Sequence, residues 1–347
     1  MIYNRSLQDF YTSSEEDNDN LIPFLLGRNA FNYLINSLKI KTIILPSYIC
    51  PLVVDIFKNS GIKIFFYSNL DSHLQVPLKQ IISIVSKIEN TNQTFFLWHD
   101  FLNIIGDIPD KLYELLDKKN IESIVDATHS LPSKNYKCKN VVFGFRKLLN
   151  QPFGALLRAE KKQITPLNEL SQIKLFKFLL AHKVKTNLLL MFKRFDYDLV
   201  NYCLKKIIIY SDLYSFDKNN YFINQSYNYN KIHSVHNELD YQKIGNKRKQ
   251  NFLQYCNNFP KNIDTHNLDF SSPYGFPLIV KNNKSLRGHL WNHGIHSFLL
   301  WSSLHKDALE YNNKDSNYLS KSTIILPVNQ DLTIDEINKI SNIINVY

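Results

Sequence analysis

Short apolar runs separated by stretches with helical spacing constrain the fold of this chain more than any other feature. "TIILPSYIC", "KIFFYSNL", "TFFLWHD" and "ESIVDATHS" are each rich in β-branched and aromatic residues and stop at a polar or turn-forming residue. Between them, "PLVVDIFKNSG" reads as a helix closed by Gly61, and "IPDKLYELLDKKN" as another. Upstream, "GRNAFNYLINSLK" places Ala30, Phe31, Leu34, Ile35 and Leu38 on one face, so a helix starts near Arg28. Strands that alternate with helices require crossover connections. They therefore predict an α/β protein with a mainly parallel sheet covered by helices on both faces.

The chain has 347 residues, which favours a large domain plus a smaller one over a single unit. The reading places the large domain at residues 1–215, a connecting region at 216–238 and a small α+β domain at 239–347. In the last of these, "DYQKIGNKRKQNFLQYC", "NKSLRGHLWNHG" and "TIDEINKISNIINVY" predict helices, and "FPLIV" and "IHSFLLW" predict strands. From Lys161 to Tyr210 the pattern is helical and basic. It is expected to pack on the core or on a partner subunit with its lysines in water, rather than on a membrane.

The 44% hydrophobic fraction excludes wholesale disorder. No stretch approaches the roughly 20 apolar residues of a membrane span, and the start lacks the order of a signal peptide, so the expected compartment is the cytoplasm, with no stable membrane insertion. Cys50, Cys138, Cys203 and Cys256 form no C-x-x-C pair, which argues against a zinc site or a disulfide framework. The net charge of +10 would attract an anionic ligand without selecting one, and its lysines are spread along the chain rather than gathered into a nucleic-acid patch.

In open parallel sheets, ligands bind beyond the carboxyl ends of the strands. Asp126 closes the apolar run "SIV", and 21 residues later Lys147 stands just past "VVFGF". An unpaired buried carboxylate costs several kcal/mol, so Asp126 requires a cationic or hydrogen-bonding partner; capping the next turn is its simplest alternative role. Lys147 suits nucleophilic attack on a carbonyl if partly desolvated, and is otherwise a surface lysine beside Arg146. Arg28 and Asn29 open a helix whose amides can hold a phosphate. In the small domain, His293, His296, Trp301 and His305 cluster, with packing and surface placement as their expected roles.

The ordered set "GRNA", "ILPSYICP", "VDATHS", "FGFRKLLNQPFGALL" and "FPLIV…LRGHLWNHGI…ILPVNQDLTIDEI" resembles the DegT-type sugar aminotransferases, pyridoxal-phosphate enzymes of the aspartate-aminotransferase fold. The resemblance runs from about Leu25 to Val346 and implies an aspartate-aminotransferase-like three-layer large domain with a small C-terminal α+β domain. It makes Lys147 the residue joined covalently to the cofactor, and Asp126 the partner of the pyridinium nitrogen. It also places His129 at the ring oxygen and Gly27, Arg28 and Asn29 at the phosphate. Gly144 and Val142 stand where the family often has a serine, and Phe153 and Gly154 where it has a Gly-Gly pair. The aromatic that usually stacks on the ring falls near Cys50, which leaves Tyr48, Trp98 or His99 for that task. The implied reaction moves an amino group from an amino acid to a nucleotide-linked keto-sugar in surface-polysaccharide synthesis, within a homodimer to which Asn228 or Asn230 would contribute. Two alternatives stand beside it: a lyase, dehydratase or decarboxylase using the same cofactor, and a non-catalytic relative acting as a basic binding protein.

Overall fold

The computed structural model describes residues 21–24, 26–89, 91–144, 147–149, 154–159, 239–265, 268–269, 271–311 and 313–347. The basic segment 161–210, the Asn- and Tyr-rich stretch with Asn228 and Asn230, and Arg146 and Phe153 lie outside the described residues.

Seven strands form one sheet: β1 (Leu21–Phe24), β2 (Thr42–Pro46), β3 (Lys63–Tyr67), β4 (Thr94–His99), β5 (Glu122–Ala127), β6 (Asn140–Phe143) and β7 (Ala155–Arg158). Their order is β1-β7-β6-β5-β4-β2-β3. Neighbours from β3 through β6 run parallel, and β7 and β1 close one side in antiparallel pairs. Mainly parallel is thus the sheet's character, as the alternating runs predict.

Four helices cover it: α1 (Gly27–Leu38), α2 (Pro51–Asn59), α3 (Leu78–Ser86) and α4 (Asp110–Lys118). Pro51 at the first turn and Gly61 at φ 71° beyond the end bound α2, each where its backbone fits. The period-two alternation of the strands sorts side chains between two cores. Phe96, Trp98, Val125 and Val141 pack with Ile81, Val85, Leu112 and Leu116 of α3 and α4. Phe95, Leu97, Ile124 and Val142 pack with Phe31, Leu34, Val54 and Phe57 of α1 and α2. Fully burying each such side chain stabilises the fold by roughly 1.5–3 kcal/mol.

The C-terminal unit comprises α5 (Tyr241–Asn258), β8 (Gly275–Ile279), α6 (Asn283–Asn292), α7 (Lys306–Glu310), α8 (Lys314–Ser322), β9 (Thr323–Pro327) and α9 (Ile334–Asn345). Here the structure departs from expectation. β8 pairs antiparallel with β9, and "IHSFLLW" is no strand; it contributes one isolated bridge, Phe298 to Ile325. β9 has the same sequence as β2, "TIILP", and the same logic: four residues suited to a pleated surface, then a proline that cannot continue the ladder. The core of this unit also takes in Tyr48, Leu70, Phe101, Leu102 and Ile104 from loops of the large sheet. That shared core seats the unit over the carboxyl ends of the strands.

Candidate active site

Parallel pairing of β4 with β5 sets His99 opposite Asp126, on the sheet face that carries α1 and α2. Both residues are buried. Asp126 Oδ1 accepts the Thr128 N–H at 3.0 Å, and Oδ2 lies 3.3 Å from His99 Nδ1. Burial pushes the Asp126 carboxyl up, but His99, Lys147 and Thr128 outweigh it and hold it below the usual carboxylate range. Neither ring nitrogen of His99 meets full hydrogen-bond geometry, although both are enclosed. A buried, polar pair with unspent hydrogen-bonding capacity is the kind of arrangement that accumulates at ligand sites.

His129 sits in the turn after β5. Its Nδ1 accepts the Leu102 N–H at 3.2 Å, and its ring stacks on Tyr274 at 4.8 Å and 9°. Burial, reinforced by Lys147 and His99, drives its pKa well below 6.5, so the imidazole is neutral. Trp301 lies nearly parallel to the His129 ring at 6.0 Å and meets His99 edge-on at 5.2 Å. Its backbone is left-handed, φ 47°, an uncommon state for a large side chain, and it places the indole over the strand ends.

Lys147 is exposed, and its Nζ donates to Thr128 Oγ1 at 3.2 Å. Thr128 therefore touches both charges, the acid through its N–H and the lysine through its hydroxyl. Two glycines make room for it. A Cβ on Gly144 would lie 2.5 Å from the Thr128 carbonyl oxygen, and one on Gly27 2.8 Å from Thr128 Cγ2. The second contact brings the start of α1, with its partial positive charge, against the same turn. Within that helix start, Asn29 Oδ1 accepts the Leu26 N–H at 3.1 Å while its own N–H bonds the Leu26 carbonyl at 3.0 Å. The Asn29 oxygen is thereby engaged in capping its own helix. Arg28 follows Gly27 in this first turn, half-buried.

The structure thus brings together Asp126, His129, His99, Lys147 and the Gly27–Asn29 helix start. Two predicted aromatics have their polar groups engaged elsewhere, although Tyr48 meets Trp301 edge-on at 4.9 Å. Trp98 points to the opposite sheet face and donates its indole N–H to the Gly106 carbonyl at 2.8 Å, because neighbouring strand residues face opposite ways. Tyr48 is enclosed in the core shared by the two units, its hydroxyl bonded to the Leu300 carbonyl at 3.1 Å. Of the small-unit cluster, Trp301 reaches the site, while His305 caps α7 and faces Asp55 of α2 at 3.3 Å. Sequence reasoning missed the parts played by Thr128, Tyr274 and the Leu102 amide. Thr128 lies inside "VDATHS" and had a signal; a backbone amide and residues from a distant loop had none.

This arrangement of sheet, crevice and capping unit recurs in solved structures. A DegT/DnrJ/EryC1/StrS aminotransferase from Brucella abortus matches at a TM-score of 0.61 and 13% identity, covering 94% of this chain and 85% of that one. Spr1654 from Streptococcus pneumoniae, a putative sugar aminotransferase in its apo form, matches at 0.60 and 12%, covering 98% and 93%. PseC from Helicobacter pylori, an aminotransferase involved in pseudoaminic acid biosynthesis, matches at 0.59 and 13%, covering 94% and 86%.

The chain has the aminotransferase fold.

No protein-family model and no curated protein matches the sequence, so the likeness is one of structure. In the aminotransferase fold of this chain, the described residues include no helix long and apolar enough to cross a membrane.

Proposed function

We propose that the chain is a pyridoxal-phosphate-dependent aminotransferase of the sugar type, with Lys147 as the residue that takes up the cofactor. The supporting observation is the Asp126–Thr128–Lys147 linkage: a buried carboxylate held ionised and an exposed amine, both fixed on one turn at the strand ends.

The residues present fit this cofactor. The charge of Asp126 suits a pyridinium N–H, and His99 offers ring nitrogens with capacity to spare. His129 is neutral and buried, and the glycine-lined approach of α1 to Thr128 suits a phosphate at a helix N-terminus. When bound, the cofactor supplies the electron sink that a broken substrate bond requires. The chain's own residues do the rest. Asp126 would hold the ring nitrogen's proton, because its own carboxyl is kept below the usual range and stays ionised. The Thr128 hydroxyl orients the Lys147 amine, which is placed to carry a proton between donor carbon and cofactor. Trp301, Tyr274 and Phe101 exclude water from the acid end.

The reading extends to an amino acid donor, a nucleotide-linked keto-sugar acceptor, surface-polysaccharide synthesis in the cytoplasm and a homodimer. The names of the similar structures support it. Purified protein mixed with pyridoxal phosphate is expected to develop a visible absorbance that borohydride discharges and Lys147→Ala lacks. An amino donor should then bleach the band, as a transaminase requires and a lyase does not. A non-catalytic relative is favoured by one observation: Asn29 is already engaged in its helix cap, and Asp126 is already buried against the Thr128 N–H and His99. Protein that stays colourless after reconstitution selects that reading.

A further inference from the structure

Beyond the groups that would touch a cofactor lies a second buried polar cluster, centred on Asp100. Its carboxylate is wholly enclosed and ties together a reversal of the chain after β4. Oδ1 accepts the N–H groups of Ile105 and Gly106, both at 3.0 Å. Oδ2 accepts from Lys134 Nζ at 2.7 Å, the Tyr136 hydroxyl at 2.6 Å and Ser130 Oγ at 3.4 Å. Lys134 is nearly as enclosed, with 8% of its side chain exposed, and it also reaches Asn103 Oδ1 at 2.8 Å and Asp269 at 2.9 Å. Asn103 passes the connection to the C-terminal unit, donating to the Ser272 carbonyl at 2.7 Å. Such charge-assisted bonds in a low-dielectric interior are strong, and a lone Asp100 would be costly there.

What the cluster holds is an unfavourable backbone. Leu102 and Asn103 are consecutive left-handed residues, φ 54° and 57°, each costing about 1 kcal/mol or more outside glycine. In that conformation Leu102 gives its N–H to His129 Nδ1 at 3.2 Å and its carbonyl to the Tyr274 N–H at 2.8 Å. The backbone of one residue thus ties the His129 ring to the backbone of Tyr274, the two partners of the stack. A backbone N–H can only donate, so Nδ1 of a neutral imidazole facing it must be the bare nitrogen, and the proton must sit on Nε2.

We propose that Lys134 is a positioning residue: through Asp100 and Asn103 it holds the 100–106 turn, and through the Leu102 amide it fixes His129 as the Nε2–H tautomer, a hydrogen-bond donor to an anionic ring oxygen. The identity of that oxygen rests on the pyridoxal-phosphate reading; the tautomer and its dependence on Lys134 do not.

The test uses the full chain labelled with 15N-histidine, free of cofactor, with His129 assigned by the signal missing from His129→Gln. Two-bond 1H–15N correlations are expected to give the Nε2–H tautomer alone in the wild type. In Lys134→Met the tautomer ratio should fall about tenfold, the scale of one lost hydrogen bond to a buried group. Asn103→Gly should act in the same direction. It removes the side-chain tie while glycine accepts the left-handed backbone, so it reports even if Lys134→Met does not fold. A folded variant of either kind that melts earlier but keeps the wild-type tautomer assigns Lys134 a structural role only and overturns the proposal. So does a wild-type Nδ1–H signal. A second arm separates the two readings: with pyridoxal phosphate added, Lys134→Met should shift the pH midpoint of the visible band. Tautomer mixing without any visible band leaves the positioning role standing and removes the cofactor reading. A band whose midpoint is unmoved while the tautomer mixes shows that His129 does not meet the ring oxygen, and overturns the donor role.

Discussion

The two ends of the site are built differently. At the acid end, Asp126, His99 and His129 are enclosed and held by strand pairing, stacked rings and backbone N–H groups. At the other end Lys147 is exposed on a short turn, bonded to Thr128. The acid end is therefore assembled by the fold itself, because parallel register leaves its residues no other place. The lysine end depends on a single turn and on two glycines that let Thr128 approach. A carboxylate must be kept charged against its own burial, which takes a rigid polar shell; an exposed amine stays charged in water and needs none.

That contrast can be broken by mutation. The largest effect should come from Asp126→Ala, which leaves the Thr128 N–H without its acceptor and His99 without its carboxylate neighbour and should cost about 3 kcal/mol in denaturant unfolding. Lys147→Ala, an exposed change, should stay within about 0.5 kcal/mol of wild type in the same measurement. Equal losses would show that the two ends form one cooperative unit. Next in size, Gly144→Ala should lower stability by about 1–3 kcal/mol, since the new methyl lies 2.5 Å from the Thr128 carbonyl oxygen and something must shift. It should also weaken uptake of pyridoxal phosphate, measured by absorbance titration, whereas alanine at Gly288, where nothing lies within 4 Å, should do neither.

The smallest effect concerns pH. His129 has a folded pKa well below its unfolded value of 6.5, so below that pH the unfolded chain binds a proton that the folded chain refuses. The stability that neutral His129 contributes is present above pH 6.5 and declines as pH falls toward its folded pKa. Unfolding free energies measured between pH 6.5 and 5 should thus fall by up to about 1.4 kcal/mol per pH unit from this group. His129→Gln should flatten that slope. An unchanged slope would mean that the acid end admits a charged imidazole and is less tightly built than its packing indicates.

Much of this was legible in the sequence, and for definable reasons. Strands and helices of the large sheet announce themselves through periodicity, because their side chains must sort between two cores. Asp126 was visible because a charge closing an apolar strand needs a partner, and Lys147 because it follows the next strand. "IHSFLLW" misled because its apolar residues pack with a single bridge, Phe298 to Ile325, instead of a ladder: Trp301 leaves the extended region to reach the crevice. Trp98 misled because a one-residue step along a strand reverses its face, and only the register says which face meets α1.

By itself, then, the sequence determined the alternation of elements, the class of sheet and the strand end at which acid and base would stand, since local patterns of apolar and polar residues dictate these. Tertiary structure alone decided that His99 faces Asp126, that Thr128 joins the acid to the lysine, and that Leu102, Tyr274 and Trp301 close over His129. The first two follow from strand register and from a turn packed between glycines, and the closure over His129 exists only once the C-terminal unit has been seated on the strand ends by the core it shares with them.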